Sequence, residues 1–277
     1  MSIITAIFLG LIQGITEFLP VSSSGHLVLF QKIFGISEPA LLFDTMVHVG
    51  TLAAVCSVLW KDILAIFRRI IQPLTLYLLI ATIPAVVCAL VFSSKIEKAF
   101  ESGNFLGFAF LITAAFLAIA ESLSKKQMKC KTMRWPDAFI IGIMQAIAII
   151  PGISRSGATI SGGLFRKLDR DFAARFSFLL SIPAILGALI FQIKDLIKTS
   201  GNTEGLVIDL NNSLTTGQSI GAAAIITGTL SAAIVGFFAV RFMLKIIREK
   251  SLWGFVVYTG VLGLAVLLDQ FVLHIVF

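Results

Sequence analysis

Hydrophobic positions in this chain run in long blocks rather than at amphipathic intervals, and the blocks are about as long as a bilayer is thick. Uninterrupted apolar stretches cover residues 43–60, 74–92, 105–123, 176–193, 219–242 and 252–271. A helix needs about 20 mostly apolar residues to cross the hydrocarbon core, so each block predicts a transmembrane helix. Two further apolar stretches, about residues 2–34 and 137–165, are each broken at the centre by Pro, Ser and Gly. Neither half of either stretch is long enough to cross alone. Each therefore predicts a re-entrant hairpin of two half-helices.

Composition supports this reading. Hydrophobic residues make up 57% of the 277 and charged residues 13%, with a mean hydropathy of +0.98. Soluble domains carry about 25% charge, so the expected class is an all-α polytopic membrane protein. The first residues turn apolar at once, without a basic region or a small-residue cleavage site, so no removed signal peptide is expected. Cys56, Cys88 and Cys130 are scattered and lack metal-ligand spacing, as small apolar or loop residues would be.

The net charge of +7 changes the picture only through its distribution. Sixteen of the twenty-two Lys and Arg fall in residues 61–72, 124–136, 166–175 and 241–250, while Lys32, Lys95, Lys98, Lys194 and Lys198 fall between the other span ends. By the positive-inside rule the sixteen face the cytoplasm, which places both termini outside. Trp60, Trp135 and Trp253 sit at the same cytoplasmic ends, as interfacial anchors do. Basic residues confined to span ends exclude a soluble nucleic-acid binder. The one remaining cation, Arg155, lies inside the second broken stretch. An arginine at membrane depth costs at least about 2.5–3.5 kcal/mol, so it requires a partner or a ligand. An ion pair to Glu17 would satisfy it and would itself bring the two broken stretches together.

Those stretches share a plan. Residues 10–25 read GLIQGITEFLPVSSSG and residues 142–157 read GIMQAIAIIPGISRSG, with Gly, Gln, Pro and Ser-x-Ser-Gly in the same order. Each is followed by three spans, and the charge bias makes the first hairpin enter from outside and the second from inside. This predicts an inverted-topology repeat, residues 1–123 and 124–277, within one membrane domain.

The chemistry concentrates at the two breaks. Glu17 on an apolar half-helix needs a cation, a proton or a donor. Gln13, four residues earlier, shares its face, and such an oxygen pair suits Mg²⁺ or Ca²⁺. Ser22, Ser23, Ser24 and Gly25 open a new helix whose N–H groups favour an anion. His26 is a candidate nucleophile, a general acid or a hydrogen-bonded core histidine. In the second break Ser154, Arg155, Ser156, Gly157 and Thr159 group donors around one fixed cation, and Arg matches phosphate bidentately. Two such helix starts facing each other, with a metal, would hold a diphosphate. Gln145 is the counterpart of Gln13. Asp44 and His48, four apart on one face, line the site from the side or serve structurally. Glu121 and Asp137 read as ordinary flanking charge, His274 as interfacial, and Gly107, Gly187, Gly228 and Gly236 as close-packing positions.

Two signatures, Gln13-x-x-x-Glu17 running into FLPVSSSGH and PGISRSGATISGG from residue 151 to 163, resemble those of the undecaprenyl-diphosphate phosphatases, also called bacitracin-resistance proteins. Length and span order look similar over the whole chain, although some members carry Glu where this chain has Gln13. The resemblance implies six spanning helices plus two re-entrant hairpins, and a phosphatase that returns undecaprenyl diphosphate to the monophosphate carrier of peptidoglycan and other envelope glycans. It implies a bacterial plasma-membrane location, a site open to the extracytoplasmic side and a divalent cation, held here by Gln13 and Glu17. Arg155, Ser154, Ser156 and Thr159 would bind phosphoryl oxygens. For the attacking group, direct participation of His26 is expected ahead of Ser23 with His26 as its base, or of water activated by His26. Small lipid-facing residues would permit a homodimer. A type-2 phosphatidic-acid-type phosphatase is disfavoured, because the second His its pattern requires six residues after the Arg is Ser161 here. A lipid or anion transporter is the alternative of another class, and Glu17 with His26 beside the anion site argues for the enzyme.

Overall fold

The computed structural model describes residues 1–36, 41–124, 132–199 and 221–277. Most of the basic segment 124–136, with Lys125, Lys126, Lys129, Lys131 and Cys130, lies outside the described residues, as do the side chains of Lys95, Lys98, Lys194 and Lys198. The described chain is helical throughout: α1 Ile3–Thr16, α2 Ser23–Ile33, α3 Leu41–Val58, α4 Trp60–Arg68, α5 Pro73–Ser102, α6 Leu106–Ser124, α7 Trp135–Ile147, α8 Arg155–Phe165, α9 Arg170–Thr199, α10 Ala222–Glu249 and α11 Trp253–Leu268, which ends in a π-helical turn, Asp269–Leu273.

Among the described residues five helices are long and apolar enough to cross a membrane, and α3 supplies a sixth when taken with α4. The apolar run of the first block does not stay straight to residue 60, since α4 turns away from α3 by 76°. Exposed Leu79, Ile83, Val86, Val87 and Leu90 on α5, and Ile226, Leu230, Ile234 and Phe238 on α10, form outward apolar faces. Such faces are costly in water and natural in lipid. This is a multi-pass membrane protein.

Both broken stretches fold as helix, break, helix. α1 and α2 form the first hairpin and α7 and α8 the second. α1 lies along α10, and α10 along α3; in the other half α7 lies along α5, and α5 against α9. α6 packs on α11. A buried core centred on Phe18, Leu117, Ile160, Phe178, Leu180 and Met243 joins the two halves.

The tightest helix crossings run through glycines the sequence reading passed over. A Cβ on Gly10 would overlap the carbonyl oxygen of Gly228, and one on Gly14 would meet that of Ala232 at 2.8 Å. Without side chains there, the α1 and α10 backbones touch, the means by which membrane helices gain packing energy. Gly107, Gly228 and Gly236 are also packed, but Gly187 faces open space among the described residues, so the close-packing role expected of it is withdrawn. Gly10→Val should destabilise the protein by about 3 kcal/mol or more, because the overlap is with backbone that cannot rotate away. Gly187→Ala should be neutral. Thermal unfolding in detergent separates the two.

Glu121 and Asp137 are not ordinary flanking charges. Both are buried. Asp137 accepts from Arg166 Nε at 2.7 Å, which ties the start of α7 to the end of α8, and it also accepts from the backbone N–H of Arg134 as a helix cap. Glu121 pairs with Arg170 at 2.9 Å. The first pair closes the open end of the second hairpin, and the second ties α6 to the start of α9.

Candidate active site

The two breaks meet. Glu17, at the C-cap of α1, is buried, and among the described residues three side chains donate to its carboxylate. Arg155, the first residue of α8, donates from its Nη2 to Glu17 Oε1. Gln13 Nε2 donates to Oε2 at 2.9 Å and Ser23 Oγ donates to the same oxygen at 2.5 Å. His48 Nε2 stands 3.8 Å from Oε2, beyond hydrogen-bond reach. Arg155 uses one of its donors on Glu17 in this arrangement, so the rest of its guanidinium can still meet an anion.

Local geometry explains how Ser23 is presented. Ser22 caps α2, with its Oγ accepting from the backbone N–H of Gly25, and it holds a φ of +73°, unusual for a residue with a side chain. That conformation is secured by His26, whose Nδ1 donates to the Ser22 carbonyl at 2.6 Å. The other ring nitrogen, Nε2, accepts from Tyr258 OH at 2.7 Å, while the ring stacks on Tyr258 and meets Phe110 edge-on. His26 is buried with both ring nitrogens occupied, by the Ser22 carbonyl and Tyr258. The expectation that it attacks directly therefore does not fit its placement.

The second break is anchored in a related way. Ser154 caps α8 through the N–H of Gly157, and its own N–H donates to Thr113 Oγ1 on α6 at 3.0 Å. Gly152 holds a φ of +89°, and a Cβ there would meet Ala109 and Leu106 at 2.8 Å, so only glycine fits this turn. Ser156 Oγ donates to the Leu19 carbonyl at 2.9 Å, and the Gly152 N–H to Ser24 Oγ at 3.3 Å. These bonds stitch the two hairpins together.

A cavity of about 210 Å³ opens on this junction. Glu17, Ser22, Ser23, Ser24, His48, Ser154 and Arg155 form its polar end; Ala148, Ile149 and Ile153 continue it, and Ala184, Ile185, Ala188 and Leu189 of α9 form an apolar wall. Other expected site residues lie outside its lining. Gly25 is pressed under Phe110, and Gly157 is packed against Thr113. Thr159 bonds Ser177 Oγ at 2.6 Å within the core. Asp44 accepts from Gln31 Nε2 at 2.7 Å, and only its backbone carbonyl serves the site, by accepting from His48 Nδ1 at 2.6 Å. Gln13 and Gln145 are both buried, each with its Oε1 left without a hydrogen-bond partner.

Tyr258, Thr113 and the α9 wall were not anticipated. Tyr258 and Thr113 are single polar residues in apolar spans and carry no pattern. The wall did leave a trace, because Ala184, Ala188 and Ile185, Leu189 repeat at i, i+4 along one face of α9.

Among the described residues no three His, Cys, Asp or Glu side chains converge as a metal-ligand cluster. The cavity offers a hard cation the Glu17 carboxylate and the Ser23 hydroxyl, and the Gln13 carbonyl oxygen would join them once its amide turns, since Nε2 faces Glu17 here. Mg²⁺ is commonly held by one or two carboxylates with substrate phosphates completing its shell, so this donor set fits a divalent ion that arrives with a phosphorylated ligand.

A bundle of apolar helices that encloses a carboxylate, a guanidinium and a row of serines between two interrupted helices defines an integral membrane protein with a polar junction beside an apolar-walled cavity. Residues 6–265 match the family model described as bacitracin resistance protein BacA, and the chain belongs to that family. It is 44% identical over 265 residues to the undecaprenyl-diphosphatase of Carboxydothermus hydrogenoformans, covering 96% of each chain. It is 43% identical over 271 residues to undecaprenyl-diphosphatase 4 of Bacillus thuringiensis subsp. konkukian and of Bacillus cereus, covering 98% of each chain.

Proposed function

We propose that this chain hydrolyses undecaprenyl diphosphate to undecaprenyl phosphate and inorganic phosphate. The observation that carries the reading is the junction of Glu17, Ser23 and Arg155 at the polar end of a cavity whose other wall is apolar. A diphosphate headgroup matches the polar end. A prenyl chain matches the wall of α9, from which it would pass into lipid.

The residues divide the work as follows. The free N–H groups of Arg155, with Ser154 Oγ and the N-terminus of α8, bind the terminal phosphoryl oxygens and stabilise the charge that develops on them. Ser23 Oγ is the attacking atom and Glu17 Oε2, its hydrogen-bond acceptor, takes its proton. The Oγ–P bond forms as the bond from that phosphorus to the bridging oxygen breaks; prenyl monophosphate leaves and the Glu17 proton departs with it. Water then gives a proton to Glu17 and attacks the phosphoserine, and Ser23 Oγ recovers that proton as inorganic phosphate is released. A divalent ion held by Gln13 Oε1 and Glu17 would neutralise charge on the diphosphate.

In this reading His26 is a positioning residue. Its Nδ1–H holds the Ser22 carbonyl and thereby the strained turn that aims Ser23. His26→Ala should lose most turnover, whereas His26→Asn, whose side-chain amide can donate in place of Nδ1–H, should recover at least about tenfold of that loss. A direct proton or phosphoryl carrier would leave both variants equally inactive.

The pairing of α1 with α10 and of α7 with α5, together with two buried glutamines with uncommitted Oε1 atoms at matched positions, supports an inverted repeat of residues 1–123 and 124–277. The basic span ends support a plasma-membrane orientation with the cavity open to the extracytoplasmic side. Phosphate release from a prenyl diphosphate by purified protein in detergent tests the function. Release that chelator abolishes and added Mg²⁺ or Ca²⁺ restores is expected. Lipid movement between leaflets with no release, from a folded sample, would favour a transporter instead.

A further inference from the structure

A second hollow opens among residues 60–72, none of which lines the cavity at Glu17 and Arg155. α4 has no buried residue and turns 76° out of the line of α3. A helix at that angle to a spanning helix lies close to the membrane plane, at the level of the headgroups. Beside it exposed Phe67, Ile70 and Ile71 form an apolar edge; Ile71 is 101% exposed. Trp60 stands exposed at the start of the helix with Lys61 Nζ 5.8 Å from its ring centroid. A hollow of about 630 Å³ is lined by Trp60, Lys61, Leu64, Arg68, Arg69 and Gln72, and Gln72 Nε2 reaches back to the Ala65 carbonyl at 3.4 Å to close the turn.

The charges here are unbalanced. The acidic residue of α4, Asp62, is committed to Arg175 on α9 at 3.2 Å. Among the described residues no carboxylate lies within ion-pair distance of Lys61, Arg68 or Arg69. Three cations around one hollow, with a Trp at its rim and exposed aliphatic and aromatic side chains next to it, complement an anionic headgroup whose acyl chains lie along the apolar edge.

We propose that α4 and the turn after it form a docking site for the headgroup of an anionic phospholipid. The bilayer is the source, because a soluble phosphate would make no use of Phe67, Ile70 and Ile71. The bound lipid fixes α4 in the interface and, through Asp62 and Arg175, the end of α9 whose far stretch walls the catalytic cavity.

The test is competitive lipid retention by the purified full chain in a neutral maltoside detergent, read by native mass spectrometry with phosphatidylglycerol and phosphatidylcholine of equal chain length. Each cation near an anionic surface contributes about fivefold, so the wild type should retain phosphatidylglycerol over phosphatidylcholine by at least about tenfold. K61Q/R68Q/R69Q should lose that preference while keeping its phosphatase turnover in detergent, and the charge-conserving K61R/R68K/R69K should keep both. High salt should weaken the wild-type preference, a readout that does not depend on any variant folding. An undiminished preference in the Gln variant, no preference in the wild type, or displacement of the lipid by millimolar inorganic phosphate would each overturn the proposal.

Discussion

Arg155→Lys should lower the rate of phosphate release by at least about 10³-fold while the protein still folds, and Arg155→Ala should lose more. Lysine keeps a positive charge near Glu17 but replaces the planar fork with a single ammonium. It cannot hold the carboxylate and the phosphoryl oxygens together. The alanine variant carries a second cost. Glu17 is buried, and removing its cation leaves an uncompensated charge, a change of about 3–5 kcal/mol for a buried pair. Alanine should therefore lower thermal stability as well as activity. Combining it with Glu17→Gln should restore much of the stability and none of the activity. A lysine variant with near wild-type turnover would remove Arg155 from the phosphate site and leave it as a structural counter-ion.

Ser23→Ala should abolish turnover, by at least about 10⁴-fold, with little change in stability. Among the described residues Ser23 Oγ has a single partner, Glu17 Oε2 at 2.5 Å. Its loss removes one hydrogen bond from a carboxylate that keeps those from Arg155 and Gln13. Ser22→Ala and Ser24→Ala provide the contrast. Ser22 Oγ caps α2 and Ser24 Oγ receives Gly152 N–H, so their removal should loosen the two breaks and reduce turnover by about 10–100-fold without eliminating it. Equal losses at all three serines would mean that the row acts as a collective anion cradle and that Ser23 has no special role.

How far the sequence carried this account depends on which forces set each feature. The six apolar blocks and the two breaks were legible because lipid demands long apolar helices and proline and serine end them. Arg155 was legible as a lone cation at membrane depth, and Glu17 as a lone carboxylate beside it. Their meeting could be anticipated on charge alone. The bend after Val58 was not, because residues 61–72 were read only for their basic charge, and the helix they form is seen in the backbone. Of the two histidines, His48 lines the cavity, as its reading beside the site allowed, and His26 does not. His26 adjoins the Ser row in sequence, but the α2 helix turns it onto Tyr258, a residue 232 positions away. His48 is distant in sequence, and α3 brings it to the cavity. Direction around a helix, not distance along the chain, decides which of them lines the cavity. Glu121 and Asp137 looked like surface charges because burial at a hairpin base leaves no mark in local composition.

The proposed reaction requires that Ser23 carry the phosphoryl group, and a single-turnover acid quench tests that directly. Purified protein is mixed with a prenyl diphosphate labelled in its terminal phosphate, quenched within the first turnover, and the labelled residue is identified by peptide mapping. Label on Ser23, present in Arg155-intact protein and absent from Ser23→Ala, is the predicted result. Label on His26, or full turnover in the same sample with no label on Ser23 at any quench time, would contradict it.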